Sequence, residues 1–194
     1  GSGLPTPCSP GRYSGEFGNV QEADCISCSP GFYCAGLANT KPTGICTAGY
    51  YCPSSSISSR QYEAPMGAYS IAGASNYTEC LPGFYQSMYA QISCVQCPLG
   101  YYCPDNAMTT FQHTICPAGS YCPLQSQTPE RCPIGTYSAK TGLYSASQCF
   151  QCTPGAFCNS SGLSAVTGSF AINKSDLVEL DFNGTGAADV GAAD

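Results

Sequence analysis

The sequence predicts a small disulfide-rich repeat protein, an elongated rod of short β-hairpin and turn units with little regular secondary structure. Three observations predict it. Sixteen cysteines stand in 194 residues, close to the density of disulfide scaffolds. The motif C-x-x-G-x-(Tyr/Phe) recurs in register through most of the chain. The composition has no Trp, sparse Leu, Ile, Val and Phe, and 22 Gly with 15 Pro. Such a chain turns often, makes no long helices and buries too little apolar surface for an ordinary core. Covalent links are expected to replace that core, as in small secreted domains.

The motif starts at Cys8, Cys28, Cys46, Cys80, Cys97, Cys116, Cys132 and Cys152, and in degenerate form at Ala64. The nine starts lie 20, 18, 18, 16, 17, 19, 16 and 20 residues apart. Glycine and aromatic are in register throughout, from Gly11 and Tyr13 to Gly155 and Phe157. Such self-similarity marks a tandem-repeat protein. Within one unit, Pro-Gly or its equivalent sets a tight turn in which Gly takes a positive φ. The aromatic two positions later is expected to lie flat against the neighbouring unit and to supply most of its buried area. These rings read as structural rather than as a ligand-binding ladder.

Units come in two kinds. In the short kind a cysteine follows the aromatic directly, giving Cys28/Cys34, Cys46/Cys52, Cys97/Cys103, Cys116/Cys122 and Cys152/Cys158. In the long kind that place is Ser or Gln, and the second cysteine precedes the next unit by three residues. The long pairs are Cys8/Cys25, Cys80/Cys94 and Cys132/Cys149. The unit at 64–79 is long, and its two cysteine positions are Ala64 and Tyr77. Both cysteines are missing together because a lone survivor would be an unpaired thiol in an oxidising compartment. Their joint loss argues that the other long pairs are disulfides, each worth about 3 kcal/mol on the chain-entropy model. The unstapled unit is then expected to be the softest point of the rod, with a glycan on Asn76 shielding it.

The remaining ten cysteines allow two schemes. Each short unit closes on itself, as Cys28–Cys34, or adjacent short units cross-link in step, as Cys28–Cys46 with Cys34–Cys52. The stepped scheme leaves Cys152 and Cys158 without outside partners, so self-closure, which covers every unit with one rule, is the favoured one. The organisation is then a lead at 1–7, cysteine-rich repeats at 8–63 (one long, two short units) and the degenerate unit at 64–79. A second set of one long and two short units spans 80–131. A partial repeat at 132–158 and a cysteine-free acidic tail at 159–194 complete the chain.

An even cysteine count at regular spacing fits an oxidising compartment. Asn76, Asn159, Asn173 and Asn183 each begin an Asn-x-Ser/Thr acceptor, and together with the cysteines they point to a glycosylated extracellular or cell-surface protein. No signal peptide precedes Gly1, so a mature chain or a fragment is expected. No apolar run reaches the length of a membrane span. Charged residues are 9% and the net charge is -6, which argues against a nucleic-acid partner. Low charge also raises a solubility question, which N-linked and O-linked glycans on a Ser/Thr-rich surface would answer.

The stretches "CPLGYYCP", "CPAGSYCP" and "CPIGTYS…SASQCFQC" resemble the ephrin-receptor-like cysteine-rich repeats found in tandem in surface and secreted proteins. The resemblance covers 8–158 and departs at Ala64, at Tyr77 and after Cys158. The six-cysteine grouping of one long and two short units has a looser likeness to tumour-necrosis-factor-receptor modules, a family that uses the stepped cross-linking. The ephrin-receptor-like resemblance implies an elongated extracellular rod with no catalytic residue to carry over.

Three C-x-x-C pairs (25/28, 94/97 and 149/152) raise redox or zinc chemistry. A thioredoxin-like site needs a βαβ scaffold, and zinc thiolates suit a reducing compartment, so neither is expected. His113 is the single histidine, which removes the common acid–base triads. Beyond Cys158, Asp181, Asn183, Thr185 and Asp189 fall at calcium-loop positions with Gly186 in the turn, but Ala192 stands where the bidentate Glu belongs. A flexible or partner-pairing tail is the better reading of that segment. No cofactor, metal or enzymatic activity is expected. The expected function is a structural protein of a surface filament or coat, with a ligand-binding or adhesive receptor module, or a spacer stalk, as alternative.

Overall fold

The structure, a computed structural model, describes residues 6–16 and 21–169. It is a linear series of antiparallel two-residue hairpins, one per unit. Arg12–Tyr13 pairs with Ile26–Ser27, Phe32–Tyr33 with Gly44–Ile45 and Tyr50–Tyr51 with Tyr62–Glu63. Ala68–Tyr69 pairs with Thr78–Glu79, and Phe84–Tyr85 with Val95–Gln96. Unit six has a single bridge, Tyr101 to Ile115. The series ends with Ser120–Tyr121 on Glu130–Arg131, Thr136–Tyr137 on Phe150–Gln151 and Ala156–Phe157 on Gly168–Ser169. The last pair places residues 159–169 inside the ninth unit, so the boundary drawn at Cys158 falls within a hairpin. A partner strand without cysteine gave no signal of it.

Each strand is short because the turn glycine begins it and a cystine or loop ends it. Two long units need more chain. Before Cys25 and Cys149 they carry one 3-10 turn, Glu22–Asp24 and Ala146–Gln148. The second is held by Gln148 Oε1, which accepts from the N–H groups of Tyr144 and Ser145 at 2.8 and 3.2 Å. The long unit at 80–94 spaces its cysteines 14 apart instead of 17 and has no such turn.

All sixteen cysteines are paired, and every unit that has cysteines closes on itself. The long bonds are Cys8–Cys25, Cys80–Cys94 and Cys132–Cys149, and the short bonds link Cys28–Cys34, Cys46–Cys52, Cys97–Cys103, Cys116–Cys122 and Cys152–Cys158. The short pairs flank one tight turn, which holds Cα atoms 5.8–6.1 Å apart, inside the span a disulfide bridges. The stepped scheme has no place here.

The buried set is mostly cystine, with Ala64, Ala68 and Leu143 the other buried apolar residues. The aromatics do not supply it. Those of the motif are half-buried, except Phe157, which is 39% exposed, and several sit against their own partner strand. Tyr51 stacks on Tyr62 at 5.5 Å and Tyr137 leans on Phe150 at 6.2 Å. Tyr33 covers Gly44 and Phe157 covers Gly168. The expectation of rings packing on the next unit holds for part of the series. Tyr51 and Tyr85 meet Tyr77 and Phe111 of the following unit edge-on rather than flat, and Tyr121 packs on Cys132, Leu143 and Cys149 of unit eight. The other junctions are made mainly by backbone.

Units join through the same backbone bonds at all eight junctions. The turn glycine donates to the carbonyl of the residue after the next unit's aromatic, from Gly11 to Cys34 through Gly135 to Cys158. The residue after the aromatic donates into the next unit's loop, from Ser14 to Asn39 through Ser138 to Leu163. The loop returns a bond to the unit's first residue, from Ala38 to Cys8 through Gly162 to Cys132. All are 2.7–3.0 Å. At about 1 kcal/mol net each, the three stabilise a junction by roughly 3 kcal/mol.

The loop residue that returns the bond has positive φ in every unit from the second on: Ala38, Ser55, Gly73, Ala90, Ala107, Gln125, Gly142 and Gly162. From the third unit on, that turn aims its carbonyl back two units, onto a buried turn glycine. A Cβ at Gly67 would overlap the Ala107 carbonyl, and one at Gly119 the Gly162 carbonyl. The glycine Cα–H faces the oxygen instead, a recurring weak contact. Each of units one to seven thus touches the next two.

Where the long units have no cysteine after the aromatic, a buried polar side chain takes the place and hydrogen-bonds to backbone, within its own unit at Gln86 and in the preceding unit at Ser70. Gln86, 2% exposed, donates from Nε2 to the Ser93 carbonyl at 2.8 Å and accepts from Met88 N–H at 3.2 Å. Ser70 donates to the Tyr50 carbonyl at 2.9 Å.

Gly36 and Gly67 both have positive φ, but a Cβ at Gly36 meets no atom within 4 Å. Gly36→Ala should lower stability by about 1 kcal/mol, the left-handed cost alone. Gly67→Ala should lose at least about 2 kcal/mol more, read by denaturant unfolding with disulfides intact. Equal losses would remove the two-unit contact.

Candidate functional site

No pair of catalytic groups converges among the described residues. The thiols of all three C-x-x-C pairs are consumed, and each pair is split between two units: Cys25 bonds Cys8 while Cys28 bonds Cys34. No group of three or more metal-ligating side chains occurs among the described residues, and His113 is exposed. Among them, no helix is long and apolar enough to cross a membrane. Asp181, Asn183, Thr185 and Asp189, and the acceptors Asn173 and Asn183, lie outside the described residues.

Asn76 and Asn159 are both exposed, in the loops of units four and nine. Asn76 Oδ1 accepts from Tyr77 N–H at 2.9 Å, and Asn159 Oδ1 from the Thr167 hydroxyl at 3.4 Å. Neither bond uses Nδ2, the atom to which an N-linked glycan would attach.

The unstapled unit keeps the fold of its neighbours. Ala64 is fully buried in the cysteine's place, and it retains its bonds to Gly49 and Ala90. Tyr77, in the second cysteine's place, turns edge-on to Tyr51 of the preceding unit at 5.6 Å, extending the Tyr51–Tyr62 stack. An aromatic trio across the unit boundary replaces the staple inside the unit. A second trio, Tyr85–Phe111–Tyr101, joins units five and six with ring centroids 4.9 Å apart at each contact.

A cleft of ≈ 410 Å³ opens beside the unstapled hairpin, between units four and five. Tyr69, Leu81 and Phe84 form its apolar wall, with Thr78, Glu79 and Ser93 at its rim. The sequence offered no signal for it beyond the missing cysteines. Elsewhere Tyr121 faces Glu130 across its hairpin. The hydrogen bond to that carboxylate, with burial and the negative charge, holds the phenol above its ordinary pKa.

The turn glycines form the remaining candidate. Seven turn glycines, Gly11 to Gly119, are buried, whereas Gly135 and Gly155 are exposed and a Cβ on either meets nothing within 4 Å. These two belong to the eighth and ninth units, for which no unit two places on lies among the described residues.

No family model matches this chain, and a comparison with characterised proteins finds no significant match.

In the double variant Ala64→Cys/Tyr77→Cys a ninth disulfide should form, because the hairpin has the register of the stapled unit after it. It should add about 3 kcal/mol by loop closure and lose about 1 kcal/mol of ring contact. Thiol counting and denaturant unfolding read both. A variant that keeps two free thiols would refute the shared geometry.

Proposed function

We propose that this chain is a non-enzymatic extracellular structural protein, a glycosylated, disulfide-stapled rod that assembles into a cell-surface filament or coat. The observation that supports this reading best is the junction. It uses backbone groups, so it repeats whatever the loop residues are, and nothing in its chemistry limits the number of units. In a repeat stack each unit contacts its near neighbours by the same kind of interface, and units one and nine repeat the hairpin of the interior. Heterologous contacts between unlike ends do not close on themselves and build fibres.

Other features agree. Eight disulfides need an oxidising compartment, and two acceptor asparagines are exposed. Low charge opposes lateral packing only weakly. The resemblance to ephrin-receptor-like repeats points to the same extracellular setting. The alternative, a ligand-binding or adhesive module or spacer stalk of a surface receptor, has one observation in its favour, the cleft between units four and five.

Light scattering and electron microscopy of the glycosylated chain, purified without reductant, should show fibres or coat fragments. A stable monomer at high concentration that binds a defined soluble ligand tightly would favour the receptor module.

A further inference from the structure

We infer that the cleft between units four and five is a sugar-binding seat, and that its occupant is the chain's own N-linked glycan at Asn76, held through its first N-acetylglucosamine. The inference rests on the glycosylated part of the proposed function. It adds where one glycan lies and which residues hold it.

Position supports this occupant. Asn76 and Thr78 are the first and third residues of one acceptor triplet, and Thr78 lines the cleft. Tyr77 between them turns its ring back to Tyr51 of unit three, whereas Thr78 borders unit five. Side chains of an extended segment alternate, which places Asn76 on the side of Thr78. Their Cα atoms are at most about 7 Å apart, a gap that an asparagine side chain and one sugar ring span. The bond from Tyr77 N–H to Asn76 Oδ1 at 2.9 Å fixes the carboxamide by its oxygen and leaves the nitrogen to carry the sugar.

The chemistry fits a neutral pyranose. One face of N-acetylglucosamine carries C–H groups alone, and its acetamide ends in a methyl. Polarised C–H groups are attracted to the negative face of an aromatic ring, and Tyr69, Leu81 and Phe84 form such a wall. Leu81, 67% exposed, gains the most cover. The sugar hydroxyls and the acetamide N–H need a few polar groups at the edge, which Thr78, Glu79 and Ser93 supply. None of these three side chains has a hydrogen-bond or ion-pair partner among the described residues, so engaging them breaks no internal bond. The volume of ≈ 410 Å³ lies in the range of small-molecule sites, about 300–1,000 Å³. A seated glycan clamps units four and five from outside, where unit four has no staple.

The test uses the chain secreted from a eukaryotic host, its glycans trimmed enzymatically to the first N-acetylglucosamine, beside Asn76→Gln, Leu81→Ser and the double variant. Peptide mass spectrometry reads occupancy at Asn76 and Asn159. In wild type the acetamide methyl at Asn76 should show nuclear Overhauser contacts to the Tyr69 and Phe84 rings, and the sugar at Asn159 should show none. The amides of Thr78 and Glu79 should exchange about ten-fold faster in Asn76→Gln, the worth of one ring contact. Leu81→Ser should match that rate with Asn76 still occupied, and the double variant should exchange no faster than either single one. An occupied Asn76 without these contacts, or ring contacts from a second chain instead, would overturn the inference and leave the glycosylated rod intact. The same holds if Asn159 is occupied and Asn76 is bare. Both asparagines bare would overturn the glycosylated reading and this inference with it. If Asn76→Gln is not secreted, the Overhauser contacts decide, since they need no variant.

Discussion

The turn glycine is the constraint on which the rest of the rod depends. Its positive φ makes the turn, its N–H joins the next unit, and its bare Cα admits a carbonyl from the unit after that. Any side chain fails the third requirement even where it survives the first. Because the spacing between units is set by backbone, loops can vary in length and composition without changing the stack. Starts spaced by 16 to 20 residues are therefore compatible with one geometry.

Cystines and junctions divide the work. A disulfide lowers the entropy of the unfolded unit, while backbone bonds align one unit on the next. The unstapled unit separates the two roles, since all its junction bonds remain although its staple is gone. Its reading as the softest point of the rod is tempered by the Tyr51–Tyr62–Tyr77 group. Aromatic contacts between units offset part of what is lost within one.

Much of this was legible in the residues. The two cysteines missing together at Ala64 and Tyr77 identified the long bonds, and the register of glycine and aromatic set the unit count. The short bonds were ambiguous because both schemes satisfy the same spacing, and only the closeness of two Cα atoms across a turn separates them. The contact two units back was invisible. The residue that makes it is Ala, Ser, Gly or Gln, types that reveal a left-handed backbone only where Gly stands, as at Gly73, Gly142 and Gly162. The exposed cradle at Gly155 was hidden for the same reason. It shows only by contrast with seven filled ones.

Low charge and exposed glycosylation acceptors belong to one physical description: a surface that repels its like weakly. Amide hydrogen exchange on the isolated, oxidised chain tests the junction beneath that description most directly. Eight turn glycines, Gly11 to Gly135, should exchange slowly, at rates set by opening of the stack. Gly155 should exchange as fast as a glycine in an open loop. Fast exchange at all nine, with the disulfides intact, would mean that the units are only strung together by the chain, and would contradict the account.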